Sequence, residues 1–353
     1  MFKDWFKRLS RRESAQAQQA PGVFQIEPPA SIAVEGVEPF NLARSLTVVN
    51  GLPVPDWPAV SAWVANIADP AAQAQAWANA ELGWLAHLQA ALGPDYHLAQ
   101  HEYALLLSPL EPRVATATVE FMSKTLARIQ RVLDGVAKAP AWGRDILLVF
   151  HDEDTYYQYV ARYYADDGEF AFSSGMHVNF GCGHFATFQD ELRSIEPVIA
   201  HEMTHSCLGH LDIPAWLNEG LAVNTERRLC PPLARQYTPA QLHWMHQQFW
   251  NPERIQEFWS GKSFLRPDEG NVLSYELARI LVEQFAADWT AFRAFSLDAN
   301  MDDAGHTAAA RHLGVDLGHT VCALFEFEAS PEWAPRPQAW TTQPERGAFR
   351  RAG

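Results

Sequence analysis

Two histidines one helical turn apart, with a glutamate beside the first, stand out in this chain: His201-Glu202-Met203-Thr204-His205. On a helix, residues i and i+4 share a face, so both imidazoles can reach a single metal ion. Glu202 would then sit beside that ion, where a general base has to be in order to take a proton from water. The H-E-x-x-H spacing therefore points to zinc-dependent hydrolysis. The competing account is a buried helix whose histidines bond to backbone carbonyls or acids. The chain has 14 histidines, so the spacing alone does not choose between the two. The flanking residues do.

Upstream, Ser194 is suited to cap a helix, with Glu196 and Pro197 in its first turn. Val198, His201, His205 and Leu208 then share one face, so the histidines point inward among apolar neighbours. Gly209 ends the helix and Pro214 bars its continuation. A second helix is expected from a cap at Asp212, carrying Trp216-Leu217-Asn218-Glu219-Gly220-Leu221-Ala222-Val223. Glu219 is an acid in an apolar stretch, which is costly unless the group is paired or bound to metal. With His201 and His205 it completes a His₂Glu set, the three-ligand pattern that leaves one zinc position for water. The alternative for Glu219 is an ion pair with Arg227 or Arg228. His210 is a rival ligand, but the glycine and third histidine of the metzincin pattern fall on Leu208 and Leu211, and His210 reads as a helix-end residue.

H-E-x-x-H followed by W-L-N-E-G-L-A resembles the gluzincin branch of zinc metallopeptidases, the peptidase MA-like domains that include thermolysin. The resemblance implies one zinc ion per chain held by His201, His205 and Glu219, with Glu202 activating water. It implies a thermolysin-like α+β fold, in which a small mixed-sheet lobe with the zinc helix is followed by a mainly helical lobe. The spacing to Glu219 is shorter than in the large aminopeptidases. The aspartate that thermolysin-like enzymes place one turn after the third ligand, to orient a histidine, is Val223 here. Asn224 or Glu226 is left to do that work. In such enzymes a strand ahead of the zinc helix lines the cleft and pairs with extended substrate, a role that falls on Gly175, Met176 and His177. A plain core strand is the other reading. A tyrosine that stabilises the developing oxyanion falls on Tyr275, against the alternative of an ordinary core tyrosine. His243 and His306 are distant alternates. Gly175-Met176 is followed by no acid to hold a free amine, which favours an endopeptidase or a narrow-specificity enzyme. The alternative function is a zinc-binding interaction or sensor module on the same fold.

The elements that must position these residues follow from pattern. Residues 1–58 comprise a basic amphipathic start, Met1 to Arg12, and a Gln-, Ala- and Pro-rich arm that contacts the domain and could cover its cleft. Residues 59–94 read as helical, and 95–329 as the catalytic domain. Within that domain Tyr103 to Leu107 and Ile146 to Phe150 read as strands, and Val119, Met122, Leu126, Ile129 and Leu133 mark an amphipathic helix. Residues 330–353 read as a Pro-rich tail.

The chain has 353 residues and is 48% hydrophobic, with a net charge of -15. That charge argues against nucleic acid and leaves a peptide or protein as the expected partner. No apolar run reaches the roughly 18 residues of a membrane span. The start of the chain lacks the apolar core of a secretory signal. The four cysteines, Cys182, Cys207, Cys230 and Cys322, form no framework, so free thiols in a cytoplasmic protein are expected. Cys182, between two glycines, is the one expected to be reactive.

Overall fold

The computed structural model describes residues 22–140, 143–163, 175–178, 181–189, 195–232 and 236–340. The amphipathic start, the capping serine at 194 and the end of the chain lie outside these residues. The fold is mixed α+β.

Ten strands are present among the described residues: β1 (Gly22–Phe24), β2 (Ile32–Val34), β3 (Val37–Phe40), β4 (Leu46–Val49), β5 (Leu52–Pro55), β6 (His97–His101), β7 (Ala104–Ser108), β8 (Asp145–Phe150), β9 (Gly175–Val178) and β10 (His184–Phe188). Six of them form one sheet in the order β1-β6-β7-β8-β10-β9. The central pairs β7–β8 and β8–β10 are parallel, and the outer pairs are antiparallel. β7 and β8 carry the near-continuous apolar runs expected of strands covered on both faces, and β10, though it includes His184 and Thr187, is buried along its whole length.

Alternation sends successive side chains of these strands into two cores. Leu106, Leu147, Val149 and Phe185 face one. Leu105, Leu107, Ile146, Leu148, Phe150 and Ala186 face the other. The helices are α1 (Leu42–Ser45), α2 (Trp57–Ala65), α3 (Pro70–Leu92), α4 (Pro112–Val132), α5 (Glu153–Val160), α6 (Ile195–Leu208), α7 (Ala215–Leu229), α8 (Pro239–Phe249), α9 (Arg254–Trp259), α10 (Glu269–Phe285), α11 (Trp289–Asp298), α12 (His306–His312) and α13 (Leu317–Phe325). α4, α6 and everything from α7 onward pack in the first core, while α1, α2, α3 and α5 pack in the second.

Two expectations are corrected here. The described part of the arm does not cover the motif helix. β1 pairs with β6 at the sheet edge opposite β9, and Ile32, Leu42, Leu52 and Trp57 are buried in the second core, across the sheet from α6. The physical reason is apolar: these side chains wall off a sheet face that α3 and α5 leave incomplete. Nor are residues 331–340 a free tail. Trp333 and Trp340 are buried. The amide of Gln256 on α9 donates to the carbonyls of Glu332 and Ala334, and accepts from the Arg336 N–H and the Trp340 indole. Gly318 lets this segment lie on α13, since a Cβ there would come within 2.4 Å of the Ala334 backbone.

Candidate metal centre

α6 turns Ile195, Ile199, Met203 and Cys207 into the first core, one residue per turn. His201 and His205 lie on the adjoining stripe. They therefore flank the buried face rather than occupy it, each keeping about a seventh of its side chain exposed (14% and 15%). α6 ends at Leu208, and the chain turns sharply into α7. The cap is Pro214 rather than Asp212. With φ −59° and ψ 148° the proline is held extended, and its carbonyl accepts the N–H groups of Leu217 and Asn218. α7 then runs back along α6 and brings Glu219 to the histidines.

His201, His205 and Glu219 each offer one ligand atom, and these atoms lie within 4.8 Å of one another. Glu219 Oε2 is 3.3 Å from His201 Nε2 and 3.4 Å from His205 Nε2. A tetrahedral ion with bonds of about 2.0–2.2 Å separates its ligand atoms by roughly 3.3–3.6 Å, so the donors fit such an ion in number and kind, and the two distances to Glu219 match its spacing. Among the described residues this is the group of His, Cys, Asp and Glu side chains that could hold a metal. Arg227 pairs with Glu276, not with Glu219. His210 is exposed beyond the helix end. His306 faces Asp316 and His243 packs near Phe325.

The far nitrogens of both rings are held as well. His201 Nδ1 donates to Glu226 Oε2 at 3.0 Å, and His205 Nδ1 donates to Asn218 Oδ1 at 2.9 Å. Each contact turns a ring so that Nε2 faces Glu219 and the centre. Of the two residues expected to replace the missing aspartate, Glu226 does so, from two turns beyond Glu219. Asn224 instead donates to the carbonyls of Gly220 and Arg279. Asn218 escaped the sequence reading. Its signal was adjacency to Glu219, which puts it at the same helix end.

Burial by itself would lower the His201 pKa, but the carboxylates of Glu219 and Glu226 outweigh it and raise it to about 10. His205 is also raised: burial opposes the shift and Glu219 drives it. Burial would raise Glu219, yet the two histidines hold it well below the usual carboxylate range. Glu202 is raised by burial against the lowering effect of His205 and His201.

Tyr275, on α10, has its ring 6.3 Å from that of His201 and edge-on to Phe264 at 5.1 Å. Burial first, and then the charges of Glu219 and Glu202, push its phenol up, so it stays a proton donor.

β9 is an edge strand antiparallel to β10, with Gly175 opposite Thr187. Gly175 leaves room for the ring of Phe185, which a Cβ would meet at 2.4 Å. The Met176 side chain packs in the second core, on the sheet face away from α6, so only its backbone could serve a ligand at the centre. The His177 side chain lies outside what the structure describes. Cys182 is the wrong residue to expect as reactive. It is buried with its Sγ 3.8 Å from Glu81 Oε1, and burial followed by that carboxylate pushes the thiol well above its usual range. All four cysteines are free. No described helix is long and apolar enough to cross a membrane.

No protein-family model matches this chain, and no characterised protein resembles it closely enough to count as a match.

Proposed function

We propose that this chain is a zinc-dependent peptidase of the gluzincin type, with a thermolysin-like arrangement of sheet lobe and helical lobe. The observation that carries the proposal is the three-donor cluster of His201, His205 and Glu219, with Glu202 buried beside it. Structural zinc sites close with four protein ligands, whereas three leave a position for water. A zinc ion bound there would polarise a carbonyl and lower the pKa of water toward about 7.

The chain's own residues divide the remaining work. Asn218 and Glu226 hold the two imidazoles in the ligating tautomer. Glu202 takes a proton from the attacking water and delivers it to the leaving amine. Tyr275 donates a hydrogen bond to the developing oxyanion. As the last strand of the described sheet, β9 would offer backbone groups to an extended peptide through Gly175, Met176 and His177. An intact, buried Glu202 favours turnover over the interaction or sensor alternative, because holding zinc alone requires no such acid.

The test is metal analysis together with cleavage of a broad peptide library, with and without chelator. Glu202→Gln should keep its zinc and its fold yet lose at least about 100-fold in rate. Retained hydrolysis in that variant would remove Glu202 as the base. Zinc content unchanged by Glu219→Ala would remove the third ligand.

A further inference from the structure

Helices α7 and α10 are joined by polar contacts that lie immediately beside the centre but take no part in it. On α7, Gly220 follows Glu219 and Arg227 follows Glu226. On α10, Glu276 follows Tyr275. Neighbouring residues on a helix point about 100° apart. One stripe of α7 thus faces the histidines, and the next faces α10.

The second stripe is closely fitted. A Cβ on Gly220 would come within 2.5 Å of the Ala278 carbonyl, so the two backbones touch at that point. Asn224 Nδ2 divides its two hydrogens between Gly220 O, at 2.8 Å on its own helix, and Arg279 O, at 2.9 Å on α10. Buried Glu276 accepts from Arg227 Nη2 of α7 at 3.0 Å and from Arg279 Nη2 of α10 at 2.6 Å. Packed apolar helices can exchange one register for another with modest loss, because dispersion is not directional. A side-chain amide bonded to a particular carbonyl cannot, because any shift leaves buried polar groups unpaired. Tyr275 has ring contacts to Phe264 and His201, but among the described residues no hydrogen bond holds its hydroxyl. Its aim therefore comes from where α10 sits.

We infer that Asn224 and Glu276 are positioning residues: they clamp α10 to the ligand-bearing helix α7 and so set the Tyr275 hydroxyl over the centre. The inference rests on the hydrolytic reading given above. A rigid tie of this kind matters because a misplacement of about 1 Å can lower the rate on the order of 100-fold.

The experiment is a double-mutant cycle on the full zinc-loaded chain. Asn224→Ala and Glu276→Gln are made singly and again on a Tyr275→Phe background. Each alone should lower kcat about 10- to 100-fold, with KM and zinc content held. On the Tyr275→Phe background neither should lower it further, because the group they position is gone. An equal fall on both backgrounds would overturn the inference. A second readout does not depend on turnover. A 3-fluorotyrosine at position 275 of the zinc-free protein should give one sharp fluorine resonance, which broadens or splits in Asn224→Ala. An unchanged resonance would also overturn the clamp. Should the zinc-loaded wild type cleave no peptide, the hydrolytic reading fails while the fluorine spectra still decide the clamp. Asn224→Ala removes only a side-chain amide, so it stands if Glu276→Gln does not fold.

Discussion

Each imidazole of the centre has one nitrogen committed to an outer partner and the other turned to Glu219, so proton and metal compete for the same lone pairs. In the metal-free protein His201 rises from 6.5 to about 10. A histidine raised by folding stabilises the fold fully below pH 6.5, and that contribution is lost as pH climbs through 10. The metal-free chain should therefore melt at progressively lower temperature between those limits. Zinc uptake at pH 7 should release at least one proton, and the affinity should tighten as pH rises. Calorimetry in buffers of different ionisation enthalpy measures the release, and zero protons would contradict the assigned protonation. Asn218→Ala and Glu226→Ala should each weaken zinc binding about 10- to 100-fold in competition with a chelating dye, while leaving all three ligands present. Unchanged affinity would mean that these two groups do not orient the rings.

At the level of elements, the contact that governs the site is the crossing of α7 over α10 at Gly220. In an exposed helix, alanine in place of glycine would gain about 1 kcal/mol. Here the added Cβ would come within 2.5 Å of the Ala278 carbonyl and 2.6 Å of Val282 Cγ2. A backbone carbonyl cannot swing aside as a side-chain end does, so overpacking, at about 1–3 kcal/mol, wins over propensity. Gly220→Ala should be less stable in urea denaturation and slower in turnover, because α10 carries Tyr275 away from the ligands. A more stable variant of unchanged rate would show that the two helices part freely.

For the molecule as a whole, residues 22–58 of the N-terminal arm and 331–340 of the C-terminal segment are structural walls. Ile32, Leu42, Leu52 and Trp57 close the second core. Trp57 packs so tightly on Gly181 that a Cβ there would fall 2.1 Å from the ring. Each such side chain contributes about 1.5–3 kcal/mol by burial, and a domain has only about 5–15 kcal/mol of net stability. Removing residues 1–58 should therefore sharply lower the melting temperature and leave peptide cleavage no higher than in the full chain. A truncated chain that melts normally and cleaves faster would restore the arm as a cover for the centre.

Local patterns carried much of this in advance. The apolar runs of β7 and β8 were legible because they are buried on both sheet faces, and the helical spacing of His201 and His205 is a property of one turn of backbone. The sequence by itself determined that these histidines could share an ion and that an acid in the Asn218-Glu219-Gly220 segment needed a partner, because burying a charge is costly wherever it happens. Only the tertiary structure decided which partner. It turned Arg227 to Glu276, brought Glu226 rather than Asn224 to His201, added Asn218 to His205, and sealed Cys182 against Glu81. The first three of those choices depend on how α7 is rotated between α6 and α10, and that rotation is set by close packing at Gly220 and by hydrogen bonds between residues far apart in the chain; the last depends on α3 packing on the opposite face of the sheet. The same holds for the ends: proline content suggested loose segments, but burial of Trp57, Trp333 and Trp340 is a matter of which faces remained uncovered once the sheet and helices had assembled.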